Sequence, residues 1–287
     1  MPTIFAAALI YGAIFPVNRI AANLGWPALS FSFLQSLGGA VVLGLVALIR
    51  GEKIGVTRSH ILAYILIGGL VVGLPMGLLV TAAPHLDPSV LTLVLCLSPI
   101  LTLLIGILLR IEVLDRRILF GMVLGIIGIG LIVSPQTGII APESGGWFVL
   151  SLGAPVMFAT ANNLAQYIRP AATGSLSMAA GTLGGAALVA LLIVPLFGQT
   201  PIPANLGQDM VMPLVAAAAI NAAFYVLFFE IIRRVGPAKF SFFNYLAVVA
   251  GILWSLVVFR EPPPTLFWLA IIVMFAGMAI ALRKKPA

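Results

Sequence analysis

Residues 160–167 place Thr160, Asn162, Asn163, Gln166 and Tyr167 within an otherwise apolar run. Thr160, Asn163 and Tyr167 recur at i, i+3 and i+7, which puts them on one face of a helix. The related spacing i, i+4 and i+7 aligns Asn221, Tyr225 and Phe228. Ser32, Gln35 and Ser36 form a third group, and Ser241, Asn244 and Tyr245 a fourth. Amides, hydroxyls and rings without ionised partners do not make an acid–base or nucleophilic site. They suit a cavity that orients a small zwitterion by hydrogen bonds and encloses its side chain between rings. Tyr11 and Trp254 lie in similar apolar runs and join the candidates. The expected substrate-binding residues are therefore Tyr11, Gln35, Asn163, Tyr167, Asn221, Tyr225, Asn244, Tyr245 and Trp254. The competing structural role for each amide is to tie neighbouring helices, at ~0.6 kcal/mol per bond.

The elements that carry these groups follow from composition. Of 287 residues, 62% are hydrophobic and 8% are charged, against roughly 25% charged in a soluble domain. So little charge cannot cover a soluble surface, which excludes a soluble enzyme and a disordered chain. Stretches of about 20 apolar residues span a membrane as helices. Ten occur, at about 4–22, 28–49, 61–83, 88–109, 117–133, 147–167, 176–197, 211–231, 238–259 and 265–282. They are apolar all round, so the alternating pattern of a membrane barrel is absent. The expected fold is an all-α polytopic membrane protein with ten transmembrane helices.

Charge sets the orientation. Arg50, Lys53, Arg58, Arg110, Arg116, Arg117, Arg169, Arg233, Arg234, Lys239, Arg283, Lys284 and Lys285 fall on one side, and only Arg19 and Arg260 on the other. Basic loops stay in the cytoplasm, so both the N- and C-termini are expected there, in a multi-pass protein of the cytoplasmic (inner) membrane. The net charge of +7 is then a topology signal, and no nucleic-acid partner is expected. Glu52, Glu112, Asp115 and Glu230 sit at cytoplasmic span ends; Asp87, Glu143, Asp209 and Glu261 sit at outer ones. A mid-membrane carboxylate marks a proton relay, and none is placed there. One Cys and two His offer no metal site, and no catalytic dyad lies within a span. Neither a cofactor nor an enzymatic activity is expected.

The chain reads as a tandem repeat. An offset of 149 lays residues 86–131 on 235–280 and pairs Pro88 with Pro237, Glu112 with Glu261, and Gly128 with Gly277. An offset of 146 pairs Leu37-Gly38-Gly39-Ala40 with Leu183-Gly184-Gly185-Ala186. The repeats are expected at 1–135 and 136–287. Five spans is an odd number, so the second copy enters the membrane inverted, the usual architecture of alternating access. Prolines within spans kink their helices, and Pro16 and Pro99 are candidate hinges. The small-residue faces at Gly69, Gly73 and Gly77, and at Gly121 and Gly125, read as packing within one chain, so a monomer is expected.

Tyr11-Gly12 in the first stretch and the pattern Pro99…Glu112…Gly121…Gly128 resemble the paired EamA domains of the drug/metabolite transporter superfamily. The second copy keeps Glu261 and Gly277 but has Val248 and Ala270 where the first has Pro99 and Gly121. Within that superfamily the chain looks closest to the YddG-type aromatic amino-acid exporters. The resemblance implies ten helices, a central cavity between repeats, membrane lipid around them, and export of a small molecule such as an aromatic amino acid. Broad-specificity drug or metabolite efflux and a membrane channel are the alternatives.

Overall fold

The computed structural model describes residues 2–86, 88–133, 145–204, 206–260, 262 and 266–281. Asp87, Glu143, Glu261, Arg283, Lys284 and Lys285 lie outside them. All elements among the described residues are helical, with no strand. They are α1 (Thr3–Asn23), α2 (Ala28–Ile49), α3 (Arg58–His85), α4 in two halves (Pro88–Leu95 and Ser98–Leu108), and α5 (Arg116–Val133). After them come α6 (Gly145–Tyr167), α7 (Ser175–Phe197), α8 (Gln208–Val235), α9 (Pro237–Phe259) and α10 (Phe267–Ala281). Seven of these, α1 to α3 and α6 to α9, are long and apolar enough to cross a membrane. In each of the seven only 39–44% of the apolar window is buried. Leu45 and Leu192 on these helices, like Leu104, Ile127 and Ile272 on α4, α5 and α10, are exposed, and water would not cover them at low cost.

Helix packing follows a rule of exchange. The pairs α5–α10 and α2–α7 each join an element to the element five places on. The pair α1–α9 is matched by α6–α4, α3–α7 by α8–α2, and α1–α8 by α6–α3. Adding or subtracting five thus maps these strongest contacts onto one another, as a two-repeat architecture requires.

Glycines allow the closest of these contacts. A Cβ on Gly121 would stand 2.5 Å from Gly277 O, and one on Gly277 would stand 2.8 Å from Gly121 O. Gly128 meets Ala270 O, the contact expected when the two repeats are exchanged. Gly39 packs on the α8 backbone at Ala218, and Gly185 packs on the α3 backbone at Tyr64. Gly69 and Gly73 face Val189, and Gly125 faces the Tyr245 ring. The small-residue faces are therefore covered from within the chain.

Several helices are interrupted near mid-length. Proline cannot donate to the carbonyl four residues back, and its ring crowds that carbonyl. A turn at Ala13 precedes Pro16, one at Cys96–Leu97 precedes Pro99, and one at Leu152 precedes Pro155. A π-helical segment, Gly69–Gly73, precedes Pro75. α9 turns at Ser241–Phe242 without a proline close behind, its counterpart of Pro99 being Val248. By contrast α5 and α10 run unbroken.

The loops sort to two ends. At one end Glu52 approaches Gly174, His60 Nε2 meets Thr173 Oγ1 at 3.0 Å, and Ala238 N donates to Glu112 Oε1 at 3.2 Å. Glu230 joins the same end, paired with Arg233 at 2.7 Å and accepting from Ser175 Oγ at 2.9 Å. This end gathers the basic loops 50–58, 109–115, 168–174 and 233–239. At the other, Trp26 Nε1 donates to Met210 O at 3.1 Å, Ser30 Oγ donates to Thr200 O at 2.7 Å, and His85 stacks on Trp147.

Candidate functional site

A cavity of about 310 Å3 lies among α1, α2, α3, α4, α6, α8 and α9. That is near the lower end of the ~300–1,000 Å3 typical of small-molecule sites. The breaks supply much of its wall: Tyr11 and Ile14 flank the α1 turn, Leu95, Cys96 and Ser98 the α4 turn, and Phe240, Phe243 and Asn244 the α9 turn. α5, α7 and α10 contribute no lining residue among those described.

One part of the wall is aromatic. Tyr11 lies 4.3 Å from Phe224 between ring centroids, Phe224 stacks on Phe243 at 4.7 Å, and Phe243 stacks on Phe240 at 5.3 Å. Phe228 meets Phe240 edge-on at 5.0 Å. Offset and edge-to-face pairs of this kind add about 0.5–1.5 kcal/mol beyond burial, so this wall is a packed surface and not a set of independent rings. The other part is polar but uncharged. Asn221 Nδ2 donates to Gln35 Oε1 at 2.9 Å across the repeats. Asn162 Nδ2 donates to Thr102 Oγ1 at 3.3 Å, and Thr102 Oγ1 donates to Ser98 O at 2.7 Å. Among the described residues no Asp, Glu, Lys, Arg or His lines the cavity.

Of the residues expected from sequence, Tyr11, Gln35, Asn221, Tyr225 and Asn244 line this cavity. Four lie elsewhere. Asn163 is fully buried between α6 and α4, where its Nδ2 donates to Ala159 O and Thr102 O, both at 2.9 Å. Tyr167 stands at the end of α6 and is 59% exposed. Tyr245 donates to Met122 O at 3.1 Å and to Cys96 O at 3.4 Å, bridging α9 to α5 and α4. Trp254 Nε1 donates to Leu9 O at 2.9 Å and ties α9 to α1. The i, i+3, i+7 face of α6 is thus not its cavity face; Asn162 and Phe158 supply that face, about 150° away. The candidate hinges Pro16 and Pro99 follow the α1 and α4 turns.

Sequence reasoning missed Ser98, Phe158, Phe224, Phe240 and Phe243 as cavity residues. The signal for Ser98 was its place just before Pro99, where a helix must reopen. The phenylalanines carried no distinguishing signal among 17 in the chain.

Outside the helices, two groups are perturbed by packing. Burial raises the Glu112 carboxyl, opposed by the bond from Ala238 N and the charge of Lys239. Burial also lowers the Arg169 guanidinium, with Arg233 adding to the effect and Glu230 opposing it. Arg169 donates to Thr173 O at 2.6 Å and to Phe229 O at 3.4 Å.

An all-helical, two-repeat bundle with an apolar exterior and a central cavity defines a multi-pass membrane protein of the transporter class. The chain belongs to the EamA-like transporter family, whose profile matches residues 1–134 and again 145–283. The family is one of transporters and not of enzymes, and it implies a small-molecule substrate and a lipid surround. A solved crystal structure of a similar protein is 19% identical, with a TM-score of 0.81. The match covers 97% of this chain and 96% of that one. No curated protein matches the chain.

Proposed function

We propose that the chain exports small metabolites, amino acids foremost and aromatic ones favoured, across the cytoplasmic (inner) membrane. In this reading all ten helical segments span the bilayer, the termini and basic loops are cytoplasmic, and residues 1–135 and 136–287 form the inverted repeats of a monomer. Transport proceeds by alternating access, with flexure at the α1 and α4 turns beside Pro16 and Pro99. The carrying observation is the cavity itself, with uncharged hydrogen-bonding groups in one part and stacked rings in the other. Tyr11, Gln35, Asn221, Tyr225 and Asn244 contact the substrate. Asn163, Tyr245 and Trp254 tie together the helices that present it. With no ionised group among the described lining residues, movement down the substrate gradient without a buried carboxylate relay is the simplest coupling.

The test is counterflow in proteoliposomes across a panel of amino acids, with and without a proton gradient. Saturable exchange of amino acids, aromatic ones preferred, is the expected result. Conductance without saturation would favour a channel, and a strict requirement for a pH gradient would overturn the coupling.

A further inference from the structure

A neutral cavity leaves open how the charged end of a substrate is held, and the broken α4 answers this. Leu95, Cys96 and Ser98 all line the cavity around the turn at Cys96–Leu97. Pro99 has no N–H and crowds the Leu95 carbonyl, so the hydrogen-bond ladder cannot run through. It resumes with Leu101 N donating to Leu97 O at 3.1 Å. The N–H groups of Ser98 and Ile100 therefore precede the ladder of an 11-residue helix, Ser98–Leu108. Such donors, with the positive end of the helix dipole, favour an anion.

The second observation is Ser98 itself. It is 1% exposed, and its Oγ has no hydrogen-bond partner. A buried polar group left unpaired costs about 1–3 kcal/mol. The α9 break offers a contrast, because there Ser241 Oγ donates to Ala238 O at 2.7 Å. Of these two serines only Ser98 keeps a hydroxyl that the protein does not satisfy.

We propose that the α4 break is a carboxylate subsite: Ser98 Oγ–H and Ser98 N–H, at the start of the Ser98–Leu108 helix, donate to one carboxylate of the substrate. Hydroxyl and amide donors without a basic side chain suit a monoanion, whereas a phosphate dianion calls for Arg or Lys. The subsite rests on the amino-acid reading above and deepens it.

Four probes separate the two ideas: L-phenylalanine, its amide, 2-phenylethylamine and 3-phenylpropionate. Each is measured by ligand-induced thermal shift in detergent and by competition against labelled L-phenylalanine counterflow, for wild type, Ser98→Ala and Ser98→Thr. The two carboxylate-bearing probes are expected to bind wild type at least tenfold more tightly than the amide and the amine. Ser98→Ala weakens those two about tenfold and leaves the others unchanged, while Ser98→Thr retains them. Ligand-free Ser98→Ala melts no lower than wild type, because the lost hydroxyl had no partner. If acid and amide are carried alike, or Ser98→Ala weakens all four equally, the subsite falls and amino-acid transport stands. If no probe binds or exchanges, both fall.

Discussion

The helix pair α5–α10 and the broken helices α1, α4, α6 and α9 are made of similarly apolar sequence and meet opposite requirements. α5 and α10 run unbroken and touch backbone to backbone at Gly121 and Gly277. They give the cavity no lining residue among those described. The four broken helices are interrupted at Ala13, Cys96–Leu97, Leu152 and Ser241–Phe242, and all four line it. A continuous helix satisfies its own backbone and can be packed tightly. A broken one frees backbone donors and acceptors, which apolar surroundings tolerate only where protein or a wet cavity receives them. Static packing and the cavity wall are thus divided between different helices.

Gly121→Leu should have the largest effect, because a Cβ at that position already meets the Gly277 carbonyl. Overpacking of about 3 kcal/mol is expected, seen as loss of monodisperse protein and a lower melting temperature in detergent. A variant that folds and melts like wild type would break the comparison.

The amides sharpen it. Asn163→Leu removes two buried hydrogen bonds, one from α6 to α4 and one within α6, which should destabilise by about 1–3 kcal/mol and leave KM unchanged. Asn221→Leu removes the bond to Gln35, but Gln35 faces the cavity, where water can replace it. Its KM should rise about tenfold, equivalent to about 1.4 kcal/mol, with a smaller change in melting. The reverse pattern would move the substrate path to the α4–α6 interface.

Pro99→Ala offers α4 the missing backbone donor. Turnover should fall a few-fold with stability unchanged or slightly raised, if the turn is used as a hinge. Unchanged kcat would make the turn a static bend.

The smallest effect concerns Glu112, at the end that both regions share. Burial raises its carboxyl above the ordinary value of 4.5, so the folded state holds that proton more tightly than the unfolded chain. Its contribution to stability is present below 4.5 and is lost as pH rises through the raised value. Glu112→Gln has no proton to lose. Its melting temperature should therefore fall less than that of wild type across this window in a pH series; a parallel fall would exclude Glu112 as the source.

Composition, hydropathy and charge spacing made the helical elements, the grouping of basic loops and the repeat legible, because each is a property of the chain read in order. Pro16, Pro99 and Pro155 announced where helices would break, since a missing N–H acts locally wherever the helix sits. The rotation of each helix about its axis was not legible. In a helix that is apolar all round, periodicity fixes the angle between Asn162 and Asn163 but not which of them faces the cavity. Tertiary packing decided that: Thr102 and Ala159 claimed Asn163 and left Asn162 on the wall. The same packing gave Tyr245 and Trp254 to neighbouring backbones and assembled the aromatic wall from Tyr11 and the phenylalanines of α8 and α9. The sequence by itself determined which segments of this protein leave water, through the free energy of transferring apolar groups. Only the tertiary structure decided which of them meet one another, because that depends on close contacts between helices that no linear spacing records.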